Sequence, residues 1–336
     1  MTAEQPAPRP DPQFPLAADA FASLLSHIAL THPSLCEKTQ KLDADWSTGD
    51  ARDTALTAIV SGAISRCVDA SMFPLTGVLD AFNQFSQDFF DRQVEFLRTG
   101  EYRAKDYSEV VKAVYSDDHY MQSVYYPALL FCYLGSPNYR HILRAVDKAT
   151  AGWRGIECRR VLDLAGGHGF LLLHALEQLP QAVGVGIDLS PSAERFARAL
   201  QRNTGWGEGR FDFRVQDFIA QSDGVPELFD AAFCCELLEH LPEPALALKA
   251  LHRAIRPGGR LFVTAAVRME SVDHLTLFRT TGEVAKLLNA CGFEVIEESS
   301  VPFVLKRPSS AQRWQRQLDD PLVPATFVAE CVRRQI

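Results

Sequence analysis

From Cys158 onward the sequence alternates between short strand-like runs and helix-like runs, and this alternation constrains the fold more than any other feature. Most of the segments between the strand-like runs place apolar residues at helical spacing, and RPGGR is expected to close the helix before the fifth run. The seven strand-like runs read RRVLDLA, AVGVGIDL, FDFRVQD, FDAAFCCEL, LFVTAAV, FEVIEESSV and ATFVAECVRR. Alternation of this kind predicts an α/β fold with a doubly wound, mostly parallel sheet covered on both faces.

The N-terminal part of the sequence has a different texture. Residues 16–150 show helical periodicity and hardly any strand pattern, with Asp53, Ser108 and Asn138 as predicted N-caps. The first 15 residues are rich in proline and lack a basic start followed by an apolar run, so we expect a disordered lead and not a secretory signal. The prediction is therefore a lead over 1–15, a helical domain over 16–150 and a sheet domain over 151–336.

Composition excludes several classes of function. The formal net charge of −8 argues against a general affinity for nucleic acid or anionic membranes, and no run of 18 apolar residues predicts a membrane span. The eight cysteines form no C-x-x-C pair. They are interpreted as reduced thiols in a cytoplasmic protein.

A glycine cluster follows the first predicted strand, in the stretch VLDLAGGHGF. Ligands of open α/β sheets bind at the carboxyl ends of the strands, and absent side chains let a ligand approach the backbone. A tight turn without a ligand is the alternative. Asp188, Asp217 and Glu236 follow the next three strands, and carboxylates in such positions are costly unless they are paired. The pattern predicts a nucleotide-like ligand at this edge.

The type of nucleotide follows from the spacing of the glycines. A dinucleotide site needs G-x-G-x-x-G/A, and counting from Gly167 places Leu172 where the small final residue should stand. No phosphate-clamping group is near. A ligand with adenosine and no phosphate fits the acidic edge better.

Six segments resemble, in order, the successive motifs of class I S-adenosylmethionine-dependent methyltransferases across residues 158–336. They are VLDLAGGHG, GIDLSP, VQDF, FDAAFCCELLEHLPEP, LHRAIRPGGRLFV and LLNACGFEVIE. The resemblance implies S-adenosylmethionine as cosubstrate and a Rossmann-like, doubly wound, seven-stranded sheet whose last two strands form a hairpin. The N-terminal helices resemble the all-helical lids of small-molecule methyltransferases.

The resemblance also implies roles for individual residues. Asp163 and the glycine loop would contact the methionine part, Asp188 the ribose, Asp217 and Phe218 the adenine, and Glu236 the region of the sulfonium. The usual acid-x-G-x-G-x-G motif departs here, because it begins with Ala165 and contains His168. The full set of predicted cofactor-binding residues is Asp163, Ala165, Gly166, Gly167, Gly169, Asp188, Leu189, Asp217, Phe218, Cys235 and Glu236.

The helical domain is interpreted as a lid that excludes water, with a dimerisation or stability domain as the alternative. It carries Tyr115, Tyr120, Tyr125 and Tyr126 close together, and Tyr115 is the favoured contact of an aromatic face with the sulfonium cation. An ordinary packing face is the alternative for each tyrosine. The predicted substrate-pocket residues are Tyr120, Tyr126, Asn138 and Tyr139.

A nucleophile that carries a proton would require a base, and His168, His240 and His274 are the candidates beside a structural role for each. Glu236, Glu239, His240 and His252 resemble a metal pattern in a few relatives. Because His252 stands well along the next helix, no metal is expected.

Three functions compete. The first is methyl transfer to a small metabolite of natural-product metabolism. The second is an intramolecular reaction, in which the amino group of S-adenosylmethionine attacks its own γ-carbon to give azetidine-2-carboxylate and methylthioadenosine. The third is a binding module without catalysis. A small-molecule partner is expected in each case, and the helical domain is a possible homodimer interface.

Overall fold

The helices of the N-terminal part precede every strand in the described chain. The computed structural model describes residues 17–33, 51–100, 102, 106–110, 117–221, 228–303, 320 and 322–335, so the predicted lead over 1–15 lies outside the described residues. The helices are α1 (Ala17–Thr31), α2 (Ala51–Asp69), α3 (Leu75–Thr99), α4 (Tyr107–Val110), α5 (Asp118–Tyr120), α6 (Tyr126–Gly135) and α7 (Pro137–Trp153). A π-helical turn over Met121–Tyr125 joins α5 to α6, and a 3-10 turn over Arg154–Ile156 follows α7.

The three predicted helix caps are wrong, and Ser108 is the second residue of α4. Asp53 lies inside the first turn of α2, and its carboxylate forms a bidentate ion pair with Arg144 of α7. Helix α7 has Ser136 as its N-cap because Pro137, which suits the first helical position, begins the helix. Asn138 therefore stands in the first turn, where its side-chain amide donates to Thr326 Oγ1 at 3.3 Å.

Seven strands form one sheet in the order β3-β2-β1-β4-β5-β7-β6. Strand β7 runs antiparallel to both of its neighbours, whereas the other pairs are parallel. The strands are β1 (Arg160–Leu164), β2 (Val183–Asp188), β3 (Phe211–Val215), β4 (Phe229–Cys234), β5 (Ile255–Val267), β6 (Phe293–Pro302) and β7 (Ala325–Arg333). The predicted doubly wound sheet with a terminal hairpin is confirmed.

Strand β5 begins earlier than the sequence predicts. The RPGGR segment was expected to close the preceding helix, but Ile255 already pairs with Phe229 of β4. Arg256 Nε donates to Asp230 Oδ1 at 2.6 Å, which ties this segment to the neighbouring strand. The helix stops at Ala254 because Ile255 adopts extended backbone angles.

The helices of the sheet domain cover both faces. They are α8 (Phe170–Gln178), α9 (Pro191–Thr204), α10 (Phe218–Gln221), α11 (Pro244–Ala254) and α12 (Thr281–Ala290). Thr280 is the N-cap of α12, and its Oγ1 accepts from the Glu283 N–H at 3.2 Å. The Glu283 carboxylate accepts from Arg279 N instead of Thr280 N.

The apolar core has two parts. One cluster joins the N-terminal helices to one face of the sheet through side chains such as Phe131, Trp153 and Phe233. The other lies under the opposite face and includes Leu162, Val263 and Phe327. The N-terminal helices and the sheet thus share a core, which places the helices beside the carboxyl ends of the strands. In the described part of the chain, every helix is too short or too polar to cross a bilayer.

Candidate functional site

A cavity of about 1240 Å³ lies between the carboxyl ends of strands β1, β2, β3 and β4 and the N-terminal helices. Most of the predicted site residues line it, Gly169 does not, and Tyr115 lies outside the described residues. The predicted residues on its wall are Tyr120, Tyr126, Asn138, Tyr139, Asp163, Ala165, Gly166, Gly167, His168, Asp188, Leu189, Asp217, Phe218, Cys235, Glu236, His240 and His274. The fold therefore gathers residues that are spread over 155 positions of sequence.

The end of β1 and the loop that follows it, residues 163–169, are together called the glycine loop below. Ala165, Gly167 and Gly169 have φ angles of 58°, 51° and 73°, in the left-handed region. A non-glycine residue there costs roughly 1–2 kcal/mol of backbone energy. Glu236 at the end of β4 is also left-handed, with φ 49°. Strain at two adjacent strand ends that face one cavity is typical of functional sites.

The glycines serve different purposes. A Cβ on Gly169 would lie 2.8 Å from the Ala197 Cβ, so this glycine lets α8 pack against α9. Gly169 therefore faces α9 and does not line the cavity, and the structure gives no support to the methionine contact predicted for it. A Cβ on Gly166 would lie 3.1 Å from Asp163 Oδ2, on the cavity side.

Asp188, at the end of β2, holds the glycine loop in place. Its Oδ2 accepts from the Gly167 N–H at 3.0 Å, and its Oδ1 accepts from the Ser190 N–H at 2.9 Å. Burial raises the pKa of Asp188, and the backbone N–H groups oppose that shift. Each carboxylate oxygen has a second lone pair, so hydroxyl donors of a ligand still find acceptors here.

Asp163 is 4% exposed at the end of β1. Burial, with a smaller contribution from the charge of Asp188, raises the pKa of Asp163 to about 8. The carboxyl group is thus protonated at neutral pH unless a cation lies beside it. A ligand with an ammonium group near Asp163 would favour the ionised form.

Asp217 and Phe218 line the cavity beyond β3, and each has a structural role as well. Asp217 Oδ1 accepts from the Ala220 N–H at 2.9 Å, which caps the short helix α10. Phe218 is 2% exposed and packs in the second core cluster. The carboxylate of Asp217 is exposed to solvent, so its contact with an adenine amine stays a prediction.

Glu236 is oriented by a residue that the sequence analysis missed. Thr264 of β5 accepts from the Glu236 N–H at 2.9 Å, and its hydroxyl donates to Glu236 Oε1 at 2.7 Å. Burial raises the pKa of Glu236, and the hydroxyl of Thr264 opposes the shift. The sequence contained a sign of this role, because Thr264 is a polar residue in the otherwise apolar run LFVTAAV.

His168 is buried inside the glycine loop, and its geometry does not suit a base. Its Nδ1 accepts from the Phe170 N–H at 3.1 Å, so the proton of the neutral ring is on Nε2. Burial lowers the pKa of His168 to about 4. The ring can donate from Nε2, but its one lone pair is already used at the start of α8.

His240 and His274 lie together on the other side of the cavity. Their ring centroids are 4.9 Å apart, and the angle between the two ring planes is 88°, which is an edge-to-face arrangement. His252, the fourth residue of the sequence pattern that resembles a metal site, packs edge-on against Phe293 of β6. The structure thus brings His274, and not His252, to Glu239 and His240.

Aromatic side chains of the N-terminal helices form the wall opposite the strand ends. Tyr126 Cε1 lies 3.7 Å from the position of a Cβ on Gly167, and Tyr133 packs on His168 with centroids 5.8 Å apart. Burial raises the pKa of both tyrosines, which keeps their hydroxyls protonated. Tyrosine rings thus lie directly over the glycine loop.

Phenylalanines extend this aromatic wall, and the sequence analysis did not single them out. Phe85 and Phe89 of α3 line the cavity with Phe303, whose ring centroid is 4.5 Å from that of Phe89. Their spacing of four residues puts Phe85 and Phe89 on one helix face. This spacing was visible in FNQFSQDFF, but ordinary core helices show the same pattern.

Comparisons with known proteins agree with this arrangement. A family model described as a methyltransferase domain matches residues 162–261. Over 114 residues, or 34% of this chain, the sequence is 33% identical to a ubiquinone biosynthesis O-methyltransferase of Pseudomonas aeruginosa (strain LESB58), covering 47% of that protein. A protein of the same name from Xylella fastidiosa (strain 9a5c) is 39% identical over 112 residues, which cover 32% of this chain and 42% of that protein.

The chain therefore matches about half the length of these curated relatives. A solved O-methyltransferase family protein from Burkholderia thailandensis aligns with a TM-score of 0.51 and 17% identity, covering 77% of this chain and 72% of that one. This likeness extends over most of the chain and supports the fold assignment.

Proposed function

We propose that the chain acts as a class I S-adenosylmethionine-dependent methyltransferase and methylates a hydroxyl group of a small metabolite. The observation that carries the proposal is the set of strand ends in one cavity. The cavity is faced from the ends of β1, β2 and β4 by Asp163, Asp188 and Glu236. The backbone has a left-handed φ at Ala165, close to Asp163, and at Glu236 itself.

The size of the cavity supports a second substrate. Its volume of about 1240 Å³ exceeds the roughly 300–1,000 Å³ that is usual for a single small ligand. The wall opposite the strand ends is aromatic, which suits an acceptor with an apolar or aromatic body. The relatives' names as O-methyltransferases favour oxygen as the acceptor atom.

The sulfonium of bound S-adenosylmethionine supplies an electrophilic methyl carbon. An acceptor oxygen would attack this carbon in line, the carbon–sulfur electron pair would return to sulfur, and the products would be the methyl ether, S-adenosylhomocysteine and a proton. The contribution of the chain is orientation and exclusion of water. Asp188 and the glycine loop would orient the nucleoside and methionine parts, and Tyr126 and Tyr133 would cover the loop.

The residues that could take the acceptor proton lie away from the glycine loop. His168 is unsuited because its lone pair accepts the Phe170 N–H. His240 and His274 line the cavity on the side where β4 and β5 end. We propose that the acceptor hydroxyl enters on this side.

Cyclisation of the cosubstrate to azetidine-2-carboxylate is a second candidate. The packing of Tyr126 and Tyr133 over the glycine loop favours it, because a folded methionine chain needs a tight wall. Tyr139 packs against Tyr133 behind them, with ring centroids 5.4 Å apart. Asn138 is 3% exposed beside them and lines the same cavity. In that reaction the amine forms a bond to the γ-carbon, the carbon–sulfur bond breaks toward sulfur, and the amine loses a proton.

Other features of the setting stay proposals. The seven cysteines in the described part of the chain are all free thiols, which supports a cytoplasmic location. The net charge of −8 supports a small-molecule acceptor over a nucleic acid. The N-terminal helices supply one wall of the cavity, which supports the lid interpretation over a dimerisation domain.

One experiment separates the candidates. The pure protein is incubated with S-adenosylmethionine alone, and then with a panel of hydroxylated aromatic and aliphatic metabolites, with products identified by mass spectrometry. S-adenosylhomocysteine that forms only with an acceptor supports methyl transfer. Methylthioadenosine formed without an acceptor, above the spontaneous rate, replaces it with cyclisation. Binding without any product in either assay supports the non-catalytic module.

A further inference from the structure

Helix α3 carries a buried amide side chain that reaches the segment after β5. Gln93 is 5% exposed, its Nε2 donates to the Arg268 carbonyl oxygen at 3.2 Å, and its Oε1 accepts from the Glu270 N–H at 3.2 Å. A backbone carbonyl only accepts and a backbone N–H only donates, so the orientation of the amide follows from its partners. One side chain thus binds two peptide groups of a segment that lies 175 residues further along the chain.

These peptide groups lie where the chain leaves the sheet. Strand β5 ends at Val267, and Arg268 adopts a φ of 55°, in the left-handed region that is unfavourable for a residue with a Cβ. The Arg268 N–H donates to the Phe278 carbonyl at 2.8 Å, and Arg268 Nε donates to the Val323 carbonyl at 2.6 Å. The turn is therefore held both by segments of the sheet domain and by Gln93 of the N-terminal helices.

The peptide unit between Met269 and Glu270 links Gln93 to His274. The carbonyl of Met269 and the N–H of Glu270 belong to one planar group. Its N–H donates to Gln93 Oε1, and its carbonyl oxygen lies 3.0 Å from His274 Nδ1. Because the carbonyl oxygen only accepts, His274 Nδ1 carries the proton, and the neutral ring accepts only at Nε2. Gln93 thus fixes the peptide plane that selects the tautomer of His274 and orients its ring.

His274 is the end of this series of hydrogen bonds that faces the cavity. It lines the wall on the proposed acceptor side, together with Met269 and Asp273 of the same segment. Gln93 lies outside the cavity wall, so it acts on a bound molecule only through this segment.

Helix α3 connects the support of His274 to the aromatic wall. Phe85, Phe89 and Gln93 follow one another at intervals of four residues, which places them along one face of the helix. The two phenylalanines line the cavity, and Gln93 binds the segment that carries His274. One helix therefore sets the position of the aromatic wall relative to the histidine.

We propose that Gln93 is a positioning residue for His274, a role that rests on the proposed methyl transfer to an acceptor on that side of the cavity. By holding the peptide plane between Met269 and Glu270, Gln93 keeps the Nδ1–H of His274 directed at the Met269 carbonyl. The ring then meets the acceptor in one orientation and one tautomer. A displacement of about 1 Å caused by a change outside the reacting groups can lower a rate roughly 10²-fold.

The first test needs no acceptor. Full-length protein with ¹⁵N-labelled histidine is studied by NMR at about pH 8, above the ordinary pKa of histidine, where the ring ¹⁵N shifts distinguish the two neutral tautomers. His274→Gln assigns the signals. We expect the Nδ1–H tautomer for His274 in the wild type and a mixture of tautomers in Gln93→Leu. The Glu270 amide hydrogen should exchange roughly 10- to 100-fold faster in that variant. An Nε2–H tautomer in the wild type overturns the inference, as does a variant with unchanged tautomer and exchange.

The second test is a double-mutant cycle on methyl transfer to an acceptor from the metabolite panel. Gln93→Leu should lower kcat/KM for the acceptor roughly 10- to 100-fold and leave the affinity for S-adenosylmethionine unchanged. His274→Gln should lower kcat/KM roughly 10²- to 10⁴-fold. Adding Gln93→Leu to His274→Gln should cause no further loss, because a positioning residue acts only through the residue it positions. Losses that add, or a weakened affinity for S-adenosylmethionine in Gln93→Leu, would show a general structural role instead.

Gln87→Leu is the matched control. Gln87 is the same residue type on the same helix, and its Nε2 donates to Asp91 Oδ1 at 2.8 Å on the exposed surface. This change should leave the tautomer, the exchange and the rates as in the wild type. If Gln93→Leu does not fold, Gln93→Asn replaces it, because the amide one methylene shorter stays polar but does not reach both peptide groups. If no acceptor is methylated, the NMR test alone decides whether Gln93 positions His274, so the two proposals fail separately.

Discussion

The glycine loop and the 3-10 turn Leu238–His240 after β4 both hold buried acidic groups, and they hold them differently. Asp188 has a backbone N–H donor on each carboxylate oxygen, at 3.0 Å from Gly167 and at 2.9 Å from Ser190. Glu239 is 1% exposed, and burial raises the pKa of its carboxyl group well above the ordinary range, although backbone N–H groups of Glu239 and Ala266 oppose the shift. Hydrogen bonds within the chain therefore orient the carboxylate of Asp188, whereas burial dominates at Glu239.

The largest effect is expected from Asp188→Asn, which sharpens the contrast at the glycine loop. The amide would place an NH₂ group against a backbone N–H and would remove the charge from two hydrogen bonds. A hydrogen bond to a charged group contributes about 1.5–3 kcal/mol, so we expect S-adenosylmethionine affinity to fall roughly 10- to 100-fold and stability to fall as well. Calorimetry and thermal unfolding measure the two effects.

Asp212→Asn is the matched control for this substitution. Asp212 is a carboxylate on the neighbouring strand β3 and pairs with Arg198 and Arg214 outside the cavity wall. Its substitution should leave the affinity unchanged. Equal losses of affinity in both variants would show that Asp188 has no special position at the ligand site.

The second prediction concerns Asp163 and the pH dependence of stability. Its folded pKa of about 8 lies far above the ordinary value near 4, so the folded protein holds a proton that the unfolded chain releases between these values. Stability should therefore fall as pH rises from about 4 to about 8. In Asp163→Asn this contribution is absent, because the amide stays neutral.

His168 contributes with the opposite sign in part of the same range. Its folded pKa of about 4 lies below the ordinary value, so its contribution to stability rises with pH up to about 6.5. Urea unfolding of wild type and Asp163→Asn between pH 6.5 and 8 isolates Asp163, with a difference of up to roughly 1.4 kcal/mol per pH unit. Parallel profiles would mean that Asp163 stays ionised and has an unseen partner.

The third prediction tests the strain in the glycine loop. Ala165 has φ 58°, so Ala165→Gly should raise the free energy of unfolding by about 1 kcal/mol, because glycine adopts the left-handed region without cost. The reverse change, Gly167→Ala at φ 51°, should lower it by a similar amount. Thermal unfolding of both variants measures the pair, and a destabilised Ala165→Gly would show that the alanine methyl group makes a contact worth more than the strain.

The doubly wound sheet and the edge that carries the cavity could be predicted from the sequence, because strand and helix periodicities are local. The terminal hairpin was implied by the family resemblance, and the strand order comes from the structure. The glycine loop could be placed, since Asp163 to Gly169 are contiguous. The partner of Glu236 could not, because Thr264 belongs to a strand that the chain reaches 28 residues later. The same holds for the approach of His274 to Glu239 and His240, because His252 was the nearer histidine in sequence but packs on Phe293 instead.

The smallest effect is expected from Glu239→Gln, and this change tests the contrast most directly. Burial, reinforced by the charge of Glu236, raises the pKa of Glu239 well above its ordinary range, although backbone N–H groups of Glu239 and Ala266 oppose the shift. Glutamine has nearly the same shape and no charge, so the free energy of unfolding at neutral pH should change by less than about 1 kcal/mol. Thermal unfolding measures the change. A large loss of stability would mean that hydrogen bonds within the fold hold Glu239 in its ionised form, as they hold Asp188, and the two acids would then be alike.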